Sequence, residues 1–136
     1  MDRMRRLIVI AAAGFLLNLL WEHAHSALYM SYQNGVITDF ILFRAALFDA
    51  VVITLFSFPF LYFRCLENRH WILYLALVIF AVALETWALT TGRWVYADAM
   101  PIVPVLRIGL TPAIQLALLC FVSSWIATVV ERRNSR

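Results

Sequence analysis

Three carboxyl-bearing residues, Glu22, Asp49 and Glu85, stand inside stretches made otherwise almost wholly of Leu, Ile, Val, Ala and Phe. An ionisable side chain at the centre of a membrane-spanning segment costs at least about 2.5–3.5 kcal/mol, so such residues normally face a protein interior and carry function. Their neighbours extend the pattern. Asn18, Glu22, His25, Ser26 and Tyr29 recur at spacings of three and four and so share one helix face, with His23 pointing elsewhere. Asp49 has Thr54 beyond it, Glu85 is followed by Thr86 and Thr90, and Thr111 and Gln115 lie four apart. Carboxyls that meet at one depth must share protons or be neutralised. A carboxylic acid kept protonated in an apolar pocket is a competent general acid. Asn18, Thr54, Thr86, Thr90 and Ser123 read instead as glue between helices, at about 0.6 kcal/mol per hydrogen bond.

Other chemistries fit less well. Glu22-x-x-His25 has the spacing used in di-iron helical bundles, but those sites need two such pairs and two further glutamates. One pair with Asp49 and Glu85 falls short, so no metal is expected. His70 lies at the wrong membrane face to join His25 around a haem. Cys65 and Cys120 form no C-x-x-C, which leaves thiol–disulfide chemistry unsupported. The expected chemistry needs no cofactor.

The elements that must position these residues are set by composition. The 136 residues are 64% apolar and 14% charged, with mean hydropathy +0.84; soluble domains average about 45–50% and about 25%. A run of roughly 20 apolar residues crosses a hydrocarbon core of about 30 Å. Four such runs, about 7–28, 40–63, 71–91 and 108–130, predict a single domain over 1–136, an all-α integral membrane bundle of four transmembrane helices. The first run begins like a signal peptide, but Glu22 and two histidines stand where a cleavage site is bland, so the span is expected to stay.

All the basic residues except the histidines are arginine. Arg3, Arg5, Arg6, Arg64, Arg69, Arg132, Arg133 and Arg136 flank one side of the four runs, and Arg44, Arg93 and Arg107 the other. Eight against three puts both termini in the cytoplasm of a multi-pass protein of the inner (plasma) membrane. With no soluble basic face, nucleic acid is excluded as a partner. Counted from the helix ends, Glu22 and Glu85 lie about two-thirds of the way outward, and Asp49 and Gln115 reach similar or slightly deeper levels. The polar groups therefore gather in an outer-leaflet pocket above a nearly pure apolar inner half. A shift of 63 pairs Arg6 with Arg69, Glu22 with Glu85, Arg44 with Arg107 and Phe58 with Phe121. This suggests two tandem two-helix repeats of one orientation, related by an axis along the membrane normal.

The stretch from Glu85 through Thr91-Gly92-Arg93-Trp94-Val95-Tyr96, followed by Gly109-Leu110-Thr111-Pro112 and Gln115, resembles the small-subunit and fused lycopene cyclases of bacteria, archaea and fungi. Asn18-Leu19-Leu20-Trp21-Glu22 is similar to the Trp-Glu signature of fungal integral membrane terpene cyclases. The first match covers about a quarter of the chain. Where the cyclase pattern has paired glutamates after the proline, this chain has Ile114 and Gln115. The resemblance implies proton-initiated carbocation chemistry on an isoprenoid or carotenoid without a redox cofactor.

Together these readings predict a membrane-embedded cyclase- or isomerase-like enzyme of an isoprenoid or other lipid. Glu22, Asp49 and Glu85 are expected to be catalytic, with Asn18, Trp21, His25, Trp87, Arg93, Trp94, Tyr96 and Gln115 around the substrate. The alternatives are a non-enzymatic membrane subunit that binds a lipid, pigment or partner helix, and a small proton- or ion-coupled transporter. Four short spans make a small pocket, so a homo-oligomer or a hetero-oligomer with another membrane subunit is expected.

Overall fold

In lipid every backbone N–H and C=O must find a partner within its own segment, which leaves helix as the form for an isolated apolar run. The computed structural model, which describes residues 2–134, has four such helices: α1 (Arg3–His25), α2 (Asp39–Tyr62), α3 (His70–Thr90) and α4 (Leu110–Asn134). All four are long and apolar enough to cross a membrane. Asp2 caps α1 by accepting from the Arg5 N–H at 2.7 Å, and Thr38 caps α2. Gly92, at φ +67°, turns the chain out of α3; the Arg93 N–H returns to the Ala88 carbonyl at 2.8 Å. Arg136, counted with the basic ends, lies outside the described residues.

The helices alternate in direction. Arg3 donates to the Tyr62 carbonyl at 3.2 Å, and Arg6 pairs with Glu131 at 3.5 Å, so the start of α1 lies beside the ends of α2 and α4. The opposite end carries structure that the expectation of helices alone did not include. Strand β1 (Tyr29–Tyr32) pairs antiparallel with β2 (Trp94–Tyr96), and β3 (Ile102–Val103) with β4 (Ile108–Gly109). These short strands satisfy the backbone of the two long connections and form a cap over the bundle.

The repeat seen in the sequence is present in the packing. Buried Ile10, Gly14 and Asn18 of α1 map by 63 residues onto buried Leu73, Leu77 and Ala81 of α3. Asp49, Ala50, Val52, Ile53, Ser57 and Phe60 of α2 map onto Pro112, Ala113, Gln115, Leu116, Cys120 and Ser123 of α4, all buried. Ser57 and Cys120, 63 residues apart, touch at 3.5 Å, as equivalent positions do on an axis. One pairing departs from equivalence: Arg44 lies in the second turn of α2, whereas Arg107 lies in a connection ahead of α4.

The symmetry breaks at one seam. α1 packs closely on α4, but the equivalent pair, α2 and α3, approach only sparsely. At the tight seam a Cβ on Gly14 would sit 3.6 Å from Ser123 Oγ, and Gln115 donates to Asn18 at 3.1 Å. The equivalent positions at the loose seam are Leu77 and Phe60, and Val52 and Ala81. Two small side chains are replaced by two large ones and a hydrogen bond by none, so the helices part. Phe56 meets Phe80 edge to face at 5.5 Å and closes the lower part of this seam. Above it a cavity opens.

Candidate functional site

The cavity, of about 340 Å³, lies toward the capped end between α2 and α3, with α1 and α4 behind it. Glu22, Asp49, Glu85 and Gln115 all line it. The helices bring them together because each presents a polar residue on its inward face: position 22 one turn beyond Asn18, position 49 beside Ala50, position 85 one turn beyond Ala81, position 115 beside Leu116.

Gln115 is the hub. Its Nε2 lies 2.8 Å from Glu22 Oε1, 2.8 Å from Asp49 Oδ2 and 3.1 Å from Asn18 Oδ1. A primary amide has two N–H hydrogens, so three acceptors from two helices compete for two donors. Asn18 orients its own carbonyl oxygen by donating to the Gly14 carbonyl at 2.8 Å. Glu85 is held separately. Its Oε2 accepts from Tyr96 Oη and from Trp94 Nε1, the latter at 3.3 Å. Tyr96 Oη accepts in turn from the Gly109 N–H at 3.0 Å, so the cap fixes the third acid. Glu85 and Asp49 each lie within electrostatic reach of Glu22. Burial pushes the hydroxyls of Tyr29 and Tyr96 above the usual phenol range, and Glu85 adds to it, so both stay neutral donors at physiological pH.

Gly109 is where the cap meets the bundle. A Cβ there would come within 2.8 Å of both Met100 Sδ and Pro112 Cγ. Gly109→Ala should therefore cost about 1–3 kcal/mol by overpacking and should also loosen the Tyr96–Glu85 bond. Its melting temperature in detergent should fall clearly below that of wild type; an unchanged value would mean that the cap yields freely.

Trp87, Arg93 and Trp94 also line the cavity, with the Arg93 guanidinium 5.0 Å above the Trp87 ring. Asn18 and Tyr96 stand one bond behind the lining. Trp21 and His25 are corrections to the expected substrate shell. Their rings stack on each other at 4.0 Å and 7°, and His25 Nδ1 lies 3.1 Å from the Trp21 carbonyl. Neither lines the cavity, although His25 lies within electrostatic reach of Glu22; a helix face defined by spacings of three and four is wide enough to span two directions. The hydroxyl glue is corrected too. Thr54, Thr86, Thr90 and Ser123 each bond a carbonyl four residues earlier on their own helix, at 2.6–2.8 Å. A hydroxyl in lipid is satisfied most simply by the helix that carries it.

Arg44 was missed as a site residue. It lines the cavity from α2 with its guanidinium 5.8 Å from the Phe40 ring. The signal was present: it is the one arginine inside any of the four apolar runs. Tyr29 and Tyr32 line the cavity from β1 and pack against Trp94, at 6.3 and 6.4 Å. No protein-family model, no curated protein and no solved structure matches this chain.

Proposed function

We propose that the chain is a membrane enzyme of acid–base chemistry on an isoprenoid or other lipid, of the cyclase or isomerase type that its partial resemblance to membrane lycopene and terpene cyclases suggests. The supporting observation is the convergence of three carboxyls from three helices on one largely apolar cavity. One carboxylic acid delivers a proton to an alkene carbon, and the carbocation formed shifts or closes a ring. A second carboxylate then removes a neighbouring proton, so substrate and product have the same mass. Trp87 and Trp94 offer ring faces to the cation.

The test is to purify the chain, identify co-extracted lipid by mass spectrometry, and incubate it in D2O. Turnover should yield an isomer of the bound lipid carrying deuterium. Bound lipid with no exchange and no isomer would favour a second reading, a lipid-binding subunit. That reading draws support from Ile114 and Gln115 standing where the cyclase pattern has two glutamates. A transporter finds less support, because below the cavity Ile53, Leu77 and Cys120 are fully buried and pack solidly.

The arginine distribution further supports placing the basic end in the cytoplasm of a plasma membrane. Cys65 is exposed at that end, while Cys120 is buried. A membrane-impermeant maleimide should label Cys65 in inside-out vesicles and leave it unlabelled in right-side-out ones. The reverse pattern would invert the orientation.

A further inference from the structure

We propose that the cavity takes a single-chain amphiphile with a phosphate head, held at the rim between Arg44 and Arg93, its chain passing Asp49 and leaving between α2 and α3. This builds on the reading of the cavity as a lipid site and adds the head group.

The two arginines line a cavity that also holds three carboxyls, yet neither pairs with them. Among the described residues no carboxylate lies within ion-pair distance of either guanidinium; each lies over an aromatic ring instead. The acids take their hydrogen bonds from Gln115, Trp94 and Tyr96. Two cations so placed leave their N–H groups for an oxyanion; guanidinium forks match carboxylate and phosphate alike, and phosphate, with oxygens enough for two forks, suits a pair of arginines. Their position is also selective. This end of the bundle has three of the eleven arginines, and two of the three converge on one cavity. An interfacial belt would spread them around the perimeter.

Size and depth define the rest of the ligand. About 340 Å³ is near the lower end of the roughly 300–1,000 Å³ of ligand pockets, room for a head and part of one chain. The sparse seam, flanked by Ala45 and Phe48 on α2 and Leu84 on α3, gives the remainder of the chain a way into lipid. Arg44 precedes Asp49 by five residues, about 7.5 Å of helix rise. A phosphate at Arg44 therefore leaves Asp49 beside the carbon chain. The acid chemistry falls on the chain, and the phosphate ester stays intact.

The experiment is native mass spectrometry of the full chain in detergent, titrated separately with dodecyl phosphate, dodecanol, phosphatidylglycerol and inorganic phosphate. One dodecyl phosphate per chain is expected, bound at least about tenfold tighter than dodecanol. Arg44→Gln and Arg93→Gln should each reduce that preference severalfold and the double variant should abolish it, with melting temperatures near wild type. Tighter binding of phosphatidylglycerol would overturn the single-chain assignment, and equal binding of inorganic phosphate would overturn the role of the chain. Ala45→Trp, or the milder Ala45→Phe, fills the cavity and separates the two levels of the reading. If both dodecyl compounds bind equally and both are expelled by the filled cavity, the head-group inference fails while the lipid site stands. If the filled cavity changes the uptake of neither, the lipid site fails and this inference with it.

Discussion

Glu85→Gln and Asp49→Asn should each lower turnover of the bound lipid by at least about 100-fold, the usual size of a lost general acid or base, and leave the fold in place. The geometry explains why the two effects separate. Gln at 85 keeps a carbonyl oxygen to accept from Trp94 Nε1 and Tyr96 Oη, so the cap remains docked. Asn at 49 keeps an oxygen toward Gln115 Nε2. What both variants lose is a proton that can be given and taken back. The measurement is product formation beside melting temperature for each variant. Thr86→Val serves as the control, because Thr86 is exposed and bonds only its own helix at Val82; it should match wild type in both readouts. Activity retained in both acid variants would sink the acid–base reading, whereas lost stability with retained activity would make the carboxyls structural.

Much of this arrangement was legible because its physics is local. Membrane helices need only length and apolarity, so the four runs at 7–28, 40–63, 71–91 and 108–130 lie close to the observed Arg3–His25, Asp39–Tyr62, His70–Thr90 and Leu110–Asn134. The cost of burying carboxyls drew attention to Glu22, Asp49 and Glu85, and counting residues from helix ends set their common depth. The strands of the cap were not legible. Pairs of two to four residues within irregular connections carry no periodicity to read. The position of the cavity was legible only in hindsight. With the shift of 63 in hand, Gly14 and Ser123 can be set against Leu77 and Phe60, and the bulkier pair marks the seam that opens. His25 shows the opposite limit, since residue spacing fixes a face but not which edge of that face a cavity will use.

Gln115→Leu should be among the most destabilising single changes in the site, at about 2–6 kcal/mol, from the loss of its two N–H donors at about 1–3 kcal/mol each. Leucine fits the volume, so packing is not the cause. The loss is one of donors: Glu22, Asp49 and Asn18 come from α1 and α2, and the amide of α4 is the donor that all three share. Each buried acceptor left without a partner costs about 1–3 kcal/mol, more where charged. Asn18→Leu should cost far less. It removes one of three acceptors competing for two N–H groups, so the amide is then matched hydrogen for hydrogen with Glu22 and Asp49. Unfolding of both variants in mixed micelles with increasing SDS measures the difference, and equal losses would refute the donor shortage. Gln115→Glu introduces a glutamate at one position of the cyclase-like pair and sharpens the same test. It adds a fourth carboxyl within about 3 Å of two others and removes both N–H hydrogens, so at neutral pH it should destabilise at least as much as leucine. The single amide at 115 is thus expected to be what allows Glu22 and Asp49 to share this cavity.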